Sequence, residues 1–100
     1  MRKWSHVTLD DSRLRVLLSG PPDDVADAAS AVEQASSLEL TRTSVFPCAE
    51  PGAVAYALTF SIPPVGGLGA VVADVVQNEL EHSGFELEDS PPSPVTSVKN

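Results

Sequence analysis

Cysteine and aromatic residues are scarce in this sequence of 100 residues, which has a single cysteine and 5% aromatic residues. One cysteine excludes an internal disulfide and any metal site built from several cysteines. Because large side chains are few, the core must consist mainly of Ala, Val and Leu, and each fully buried Val or Leu contributes roughly 1.5–3 kcal/mol. A chain of this length predicts one domain.

Basic residues are also few, with 6 Lys and Arg against 14 Asp and Glu and a net charge of −8. They are Arg2, Lys3, Arg13, Arg15, Arg42 and Lys99. Proteins that bind nucleic acid or anionic membranes cluster Lys and Arg to neutralise phosphate, and this sequence has no such cluster. We therefore predict no nucleic-acid partner and no membrane partner.

Long hydrophobic runs are absent as well. No apolar segment follows Met1-Arg2-Lys3, and no run is long enough to span a bilayer. We therefore expect a cytoplasmic protein. Few Lys together with abundant Ala, Val and Pro is typical of high-GC bacterial genomes, so we expect a bacterial source.

The hydrophobic periodicity alternates between the patterns of strands and helices. The predicted strands cover 13–19, 38–46, 53–62 and 85–88. One helix is predicted to start directly after Gly20-Pro21-Pro22 and to end at Ser36-Ser37, and a second runs from Leu68 to Ser83-Gly84. This βαββαβ order is that of the ferredoxin-like fold, an α+β class with a four-stranded antiparallel sheet and two helices on one face. Right-handed crossovers place the first and third of these strands in the centre.

The single domain is predicted to cover residues 13–88. Residues 1–12 form an N-terminal extension, in which Val7 and Leu9 could extend an edge strand. Residues 89–100 include Ser-Pro-Pro-Ser-Pro and have little to bury, so a disordered tail is expected.

No pattern of catalytic residues stands out. His6 and His82 are far apart and lack partners at the spacing of a metal site. Cys48 has Glu50 nearby, whereas an activated thiolate needs a positive neighbour or a helix N-terminus. No serine lies in a Gly-x-Ser-x-Gly motif. We therefore predict a protein that is not an enzyme, with no metal and no cofactor.

A glycine-rich loop precedes the second helix, with glycine at Gly66, Gly67 and Gly69. Such loops can hold phosphate at a helix N-terminus. Neither the Lys-Ser/Thr of a P-loop nor G-x-G-x-x-G spacing is present, and no cation lies nearby in the sequence. Close packing at the start of the helix is the favoured explanation, and a ligand loop is the alternative.

The two helices carry a one-sign surface, which we call the acidic helix layer. It consists of Asp23, Asp24, Asp27, Glu33, Asp74, Glu79 and Glu81. A solvated face that keeps the protein soluble is the favoured interpretation. The functional alternative, with Asp23, Asp27 and Asp74 as contact residues, is attraction of a basic partner.

The other side of the predicted sheet has no cover. Its predicted residues are Arg15, Leu17, Thr41, Thr43, Ala55, Ala57 and Thr59. A flat, fairly apolar sheet surface favours either a homodimer or the docking of another protein chain. Trp4 either packs on a sheet edge or anchors a partner.

The run from Pro51-Gly52 through Ile62 into Gly66-Gly67-Leu68-Gly69-Ala70-Val71-Val72 resembles a known family in layout over about half the chain. The family is that of the effector-associated constant components of actinobacterial conflict systems. Its members have a more basic second helix with a Trp near its end, and this sequence has neither. The resemblance implies a small non-enzymatic component that works beside a separate effector.

The sequence thus leaves three functional hypotheses. The leading one is a non-catalytic protein-interaction or regulatory module that uses the acidic helix layer or the uncovered sheet. The second is a small-molecule-sensing, ACT-like domain with its ligand at Gly66–Gly69. The third is a small dimeric enzyme of the ferredoxin-like barrel kind.

Overall fold

The computed structural model describes residues 2–10, 12–48 and 50–88. Its elements are β1 (Trp4–Leu9), β2 (Arg13–Gly20), α1 (Pro22–Ser36), β3 (Glu39–Pro47), β4 (Val54–Ser61), α2 (Leu68–His82) and β5 (Glu86–Leu87). The predicted tail over 89–100 lies outside the described residues. The α+β class with two helices is confirmed, as are the positions of both helices.

The sheet has five strands in the order β3-β4-β2-β1-β5, with antiparallel pairs except for the parallel pair β1–β5. The predicted ferredoxin-like, four-stranded antiparallel order is not confirmed, because β1 lies between β2 and β5. Residues 4–9 are therefore part of the sheet. Strand β4 lies inside the sheet, as its strong alternation predicts.

A buried serine explains why β1 is hard to see in the sequence. Ser5, Val7 and Leu9 point toward the helices, but Ser5, which is fully buried, interrupts the apolar pattern. Its hydroxyl donates a hydrogen bond to the backbone carbonyl of Glu86 at 3.1 Å. Pairing with β5, more than 80 residues away in sequence, thus satisfies a polar group at a position where the pattern predicts an apolar one.

The helices pack on one side of the sheet over a core of aliphatic residues with Phe60 and Phe85. The fully buried members with the largest side chains include Leu14, Leu18, Phe60 and Leu80. The alternation of β2 and β4 supplies the sheet half of this core, and one stripe of each helix supplies the other half. The stripe of α2 is narrower than its sequence predicts, since Val71 and Val75 are exposed.

The C-terminus of α2 confirms its predicted cap. Gly84 adopts a left-handed conformation with φ 86°, which glycine accepts without a Cβ clash. The amide of Phe85 donates to the carbonyl of Leu80 at 3.0 Å, and the amide of Gly84 donates to that of Glu81 at 3.1 Å. These are the two bonds of a Schellman motif, and they turn Phe85 back into the core.

A β-bulge in β3 corrects the predicted face of Thr43. Strand β3 shifts its register against β4 between Leu40 and Arg42. Thr43 then pairs with Leu58, whose side chain belongs to the core beneath the helices. Because directly opposed residues share a side of the sheet, Thr43 lies on the helix side. The extra residue of the bulge inverts the alternation that the sequence predicts beyond it.

Neither helix in the described part of the chain has both the length and the apolar character needed to cross a bilayer.

Candidate interaction surface

The side of the sheet opposite the helices, which we call the open face, is built of rows of paired residues. Neighbours in a row come from β1, β2, β4 and β3, in that order. The rows are Trp4, Ser19, Ala55 and Phe46; His6, Leu17, Ala57 and Ser44; and Thr8, Arg15, Thr59 and Arg42. Arg13, Ser61 and Glu39 form a further row on three strands.

The structure thus brings together the predicted residues Arg15, Leu17, Ala55 and Ala57. Thr41 lies in the bulge at the edge of this surface, where its hydroxyl donates to the carbonyl of Thr59 at 3.1 Å. The sequence prediction omitted the β1 residues of the open face and the β3 residues beyond the bulge. The alternation of Trp4, His6 and Thr8 was the available signal for β1.

An aromatic row lies at one end of the open face. Trp4 is half-buried and Phe46 is 47% exposed, while Ser19 and Ala55 between them are buried. The Ser19 hydroxyl lies 3.2 Å from the thiol of Cys48, which is half-buried. Trp4 and Phe46, on either side of these small buried residues, present aromatic surface that another protein can contact.

An arginine cluster lies at the opposite end. The exposed side chains of Arg13, Arg15 and Arg42 form no ion pair with any described residue. Glu39 lies in the same row as Arg13, and the Asp10 carboxylate accepts a hydrogen bond from the Arg13 amide. The guanidinium groups are therefore available to carboxylates of another molecule, which arginine can bind in a bidentate manner.

The β5 side of the open face is already paired. Arg2 binds Glu86 at 2.9 Å and also binds Glu88. The hydrogen bonds that Arg2 donates to the Glu86 carboxylate raise the pKa of Arg2 above its ordinary value. His6 donates from Nδ1 to the carbonyl of Glu88 at 2.8 Å, so its Nε2 accepts from the Thr8 hydroxyl at 3.0 Å. These contacts occupy the polar groups at this edge.

The acidic helix layer lies on the other side of the molecule. Asp23, Asp27 and Asp74 are exposed there, as predicted. Neither helix carries Lys or Arg, but Lys3, which precedes β1, reaches this layer. The Nζ atom of Lys3 donates to the Ser83 carbonyl at 3.1 Å and lies 3.8 Å from the Asp24 carboxylate.

The glycine-rich loop borders a cleft of about 340 Å³ between the end of β1 and the start of α2. Gly67 has a φ of 80°, and a Cβ on Gly69 would lie 2.9 Å from a methyl group of Leu9. Backbone conformation and close packing thus account for two of the three glycines. The Asp10 carboxylate, which lines the cleft, accepts hydrogen bonds from the backbone amides of Ser12 and Arg13 in a turn.

No group of three His, Cys, Asp or Glu side chains within the described ranges could hold a metal ion. Comparison with protein-family models, with curated proteins and with solved structures gave no match to this chain. The resemblance to components of actinobacterial conflict systems therefore stays a prediction.

Proposed function

We propose that this protein is a non-catalytic interaction module that binds a protein partner through the open face. The observation that carries the proposal is the arginine cluster, Arg13, Arg15 and Arg42. It has no ion pair among the described residues and lies beside the half-exposed side chains of Leu17 and Ala57. Such a surface suits a partner segment in which carboxylates flank aliphatic or aromatic residues.

The residue types on this surface support the proposal. Trp and Arg dominate the small sets of residues that carry most of the energy in protein interfaces. Leu17 and Ala57 lie between Trp4 and the arginine cluster, so one extended segment can contact both ends. In a protein of net charge −8, a local positive cluster also orients an acidic partner during approach.

The acidic helix layer supports a second candidate surface. Val71 is 61% exposed and Val75 is 40% exposed on α2, and Asp74 lies next to them. An apolar strip beside carboxylates suits a basic amphipathic helix. The open face is favoured because it combines aromatic anchors with arginines that have no ion-pair partner among the described residues, whereas carboxylates exposed on a helix are ordinarily solvated.

Site-specific photo-crosslinking in the cells that produce the protein distinguishes these surfaces. A photoreactive amino acid is substituted for Leu17 on the open face or for Val75 on α2. We expect a discrete protein adduct from the Leu17 position and none from the Val75 position. Adducts only from Val75, equal adducts from both positions, or none from either would contradict the proposal.

A charge-matched pair of variants tests the role of the arginines. Arg15→Gln with Arg42→Gln removes two positive charges from the open face, and Gln34→Glu with Asn78→Asp changes the net charge equally on the helices. We expect the adduct yield to fall by roughly tenfold or more in the first variant, since each lost charged hydrogen bond costs about 1.5–3 kcal/mol. The second variant should keep the yield.

A further inference from the structure

We infer that two copies of this chain associate through the outer edge of β3, whose regular segment Arg42–Phe46 pairs antiparallel with the same segment of a second copy. The β3 edge borders the open face and shares Arg42, Ser44 and Phe46 with it, but the observations at the edge do not depend on the proposed function.

Within the described residues, β3 is accessible at its outer edge, on its helix side and on the open face. Strand β3 lies at the end of the sheet and packs chiefly against β4, and no strand of the described chain pairs with its outer edge. Val45 on its helix side is 58% exposed and Phe46 on the open face is 47% exposed. An edge strand with free amides and carbonyls and apolar side chains is a template for another strand.

The ends of the regular segment define where pairing can occur. The bulge between Leu40 and Arg42 interrupts regular hydrogen bonding on one side, and Pro47 lacks an amide proton on the other. The residues between these limits, Arg42 to Phe46, have Ser44 at their centre. A twofold axis through Ser44 therefore pairs the whole segment with itself.

This register also matches the chemistry of the side chains. Ser44 lies opposite Ser44 of the second copy, Thr43 lies opposite Val45, and Arg42 lies opposite Phe46. In each pair the two residue numbers are both even or both odd. The backbone amides and carbonyls that point out of one β3 edge therefore meet those that point out of the other. Arg42 can stack on the Phe46 ring as a cation–π pair, and the β-branched Thr43 and Val45 form a favourable cross-strand pair.

Electrostatics permits association at this edge despite the net charge of −8. The two Arg42 positions are four residues apart along the paired strands, or about 14 Å at 3.4 Å per residue. The two β4 strands are three strand spacings apart, also about 14 Å, so the acidic helix layers above the sheets stay separated. Both distances exceed the Debye length of about 8 Å at physiological ionic strength.

The association is expected to be weak. Five paired residues bury less area than a standard interface of about 1,600 Å², so the dissociation constant should lie in roughly the micromolar to millimolar range. Dimerisation would join two sheets into one and place both open faces on the same side. A partner with repeated acidic segments would then bind both copies with increased avidity.

Sedimentation velocity of the full chain tests the association. We expect the weight-average mass to rise toward that of a dimer as loading increases to about 1 mM, a concentration at which a complex of this affinity forms. Ser44→Lys places two cations opposite each other and should weaken dimerisation at least tenfold. The control Ser61→Lys adds the same charge on the same face of β4 and should have no effect. A monomeric mass at every loading, or equal effects of both variants, would overturn the inference.

Disulfide trapping tests the register and does not depend on the lysine variants. In a Cys48→Ser background, Ser44→Cys should crosslink with itself, because directly opposed Cα atoms about 4.5–5.5 Å apart suit a disulfide. Thr43→Cys and Val45→Cys should crosslink with each other when mixed and slowly when alone. Crosslinking of Ser44→Cys no faster than that of a Ser61→Cys control would overturn the register, whatever the outcome at the open face.

Discussion

Strand β2 has two sides with opposite roles. On the helix side, Leu14, Val16 and Leu18 are at most 1% exposed. On the open face, Arg13 and Arg15 are exposed and Leu17 is half-exposed. The two sides differ because helices α1 and α2 cover only one of them, although the strand backbone and its pairing with β1 and β4 are shared. Stability therefore depends on one side, and the proposed binding on the other.

The largest difference between the sides is expected for neighbouring leucines. Leu18→Ala leaves a cavity in a fully buried site and should reduce the free energy of unfolding by about 2–5 kcal/mol. Leu17→Ala, the matched variant on the open face, should cost less than about 1 kcal/mol. Urea unfolding followed by circular dichroism measures both. Equal losses would mean that the open face is covered in the isolated protein.

A smaller effect is expected for the buried hydroxyl of β1. Ser5→Ala leaves the Glu86 carbonyl without its side-chain donor and should cost about 1 kcal/mol. Ser61→Ala, at an exposed position on the open face, serves as the control and should leave the unfolding midpoint unchanged. If Ser5→Ala is neutral in the same urea titration, the hydrogen bond between β1 and the start of β5 does not hold the two strands together.

The smallest effect on stability is expected for the arginine cluster. Arg15→Ala and Arg42→Ala should each change the free energy of unfolding by less than about 0.5 kcal/mol, because both side chains are exposed and form no ion pair with described residues. Thermal unfolding should therefore be unchanged while crosslinking through the open face is lost. A clear loss of stability would assign these arginines to the fold instead of to a partner.

The two edges of the sheet show a related contrast. Strand β5 has two residues and is bordered by the ion pairs of Arg2 with Glu86 and Glu88. Strand β3 has nine residues and exposes Val45 and Phe46. Short strands, charges, prolines and bulges protect an edge from pairing. On β3 the bulge and Pro47 lie outside Arg42–Phe46, and Arg42 is the one charged residue within that segment. This difference is why the inference of self-association concerns β3.

The candidate site was only partly predictable from the sequence. The sequence predicts the correct face for Arg15, Leu17, Ala55 and Ala57, because they lie on strands with uninterrupted alternation. Thr43 was not, since one extra residue in β3 reverses the faces beyond it. No local signal in Glu39–Pro47 marks the position of that bulge.

By itself, the sequence determined both helices, the strands β2, β3 and β4 and the cap at Gly84, because local periodicity, proline and glycine specify them. Only the tertiary structure decided that residues 4–9 join the sheet and that Phe46 and Arg42 share the open face. Both outcomes depend on pairing between distant segments. Local sequence patterns show neither the hydrogen bond from Ser5 to the start of β5 nor the bulge that shifts β3 against β4.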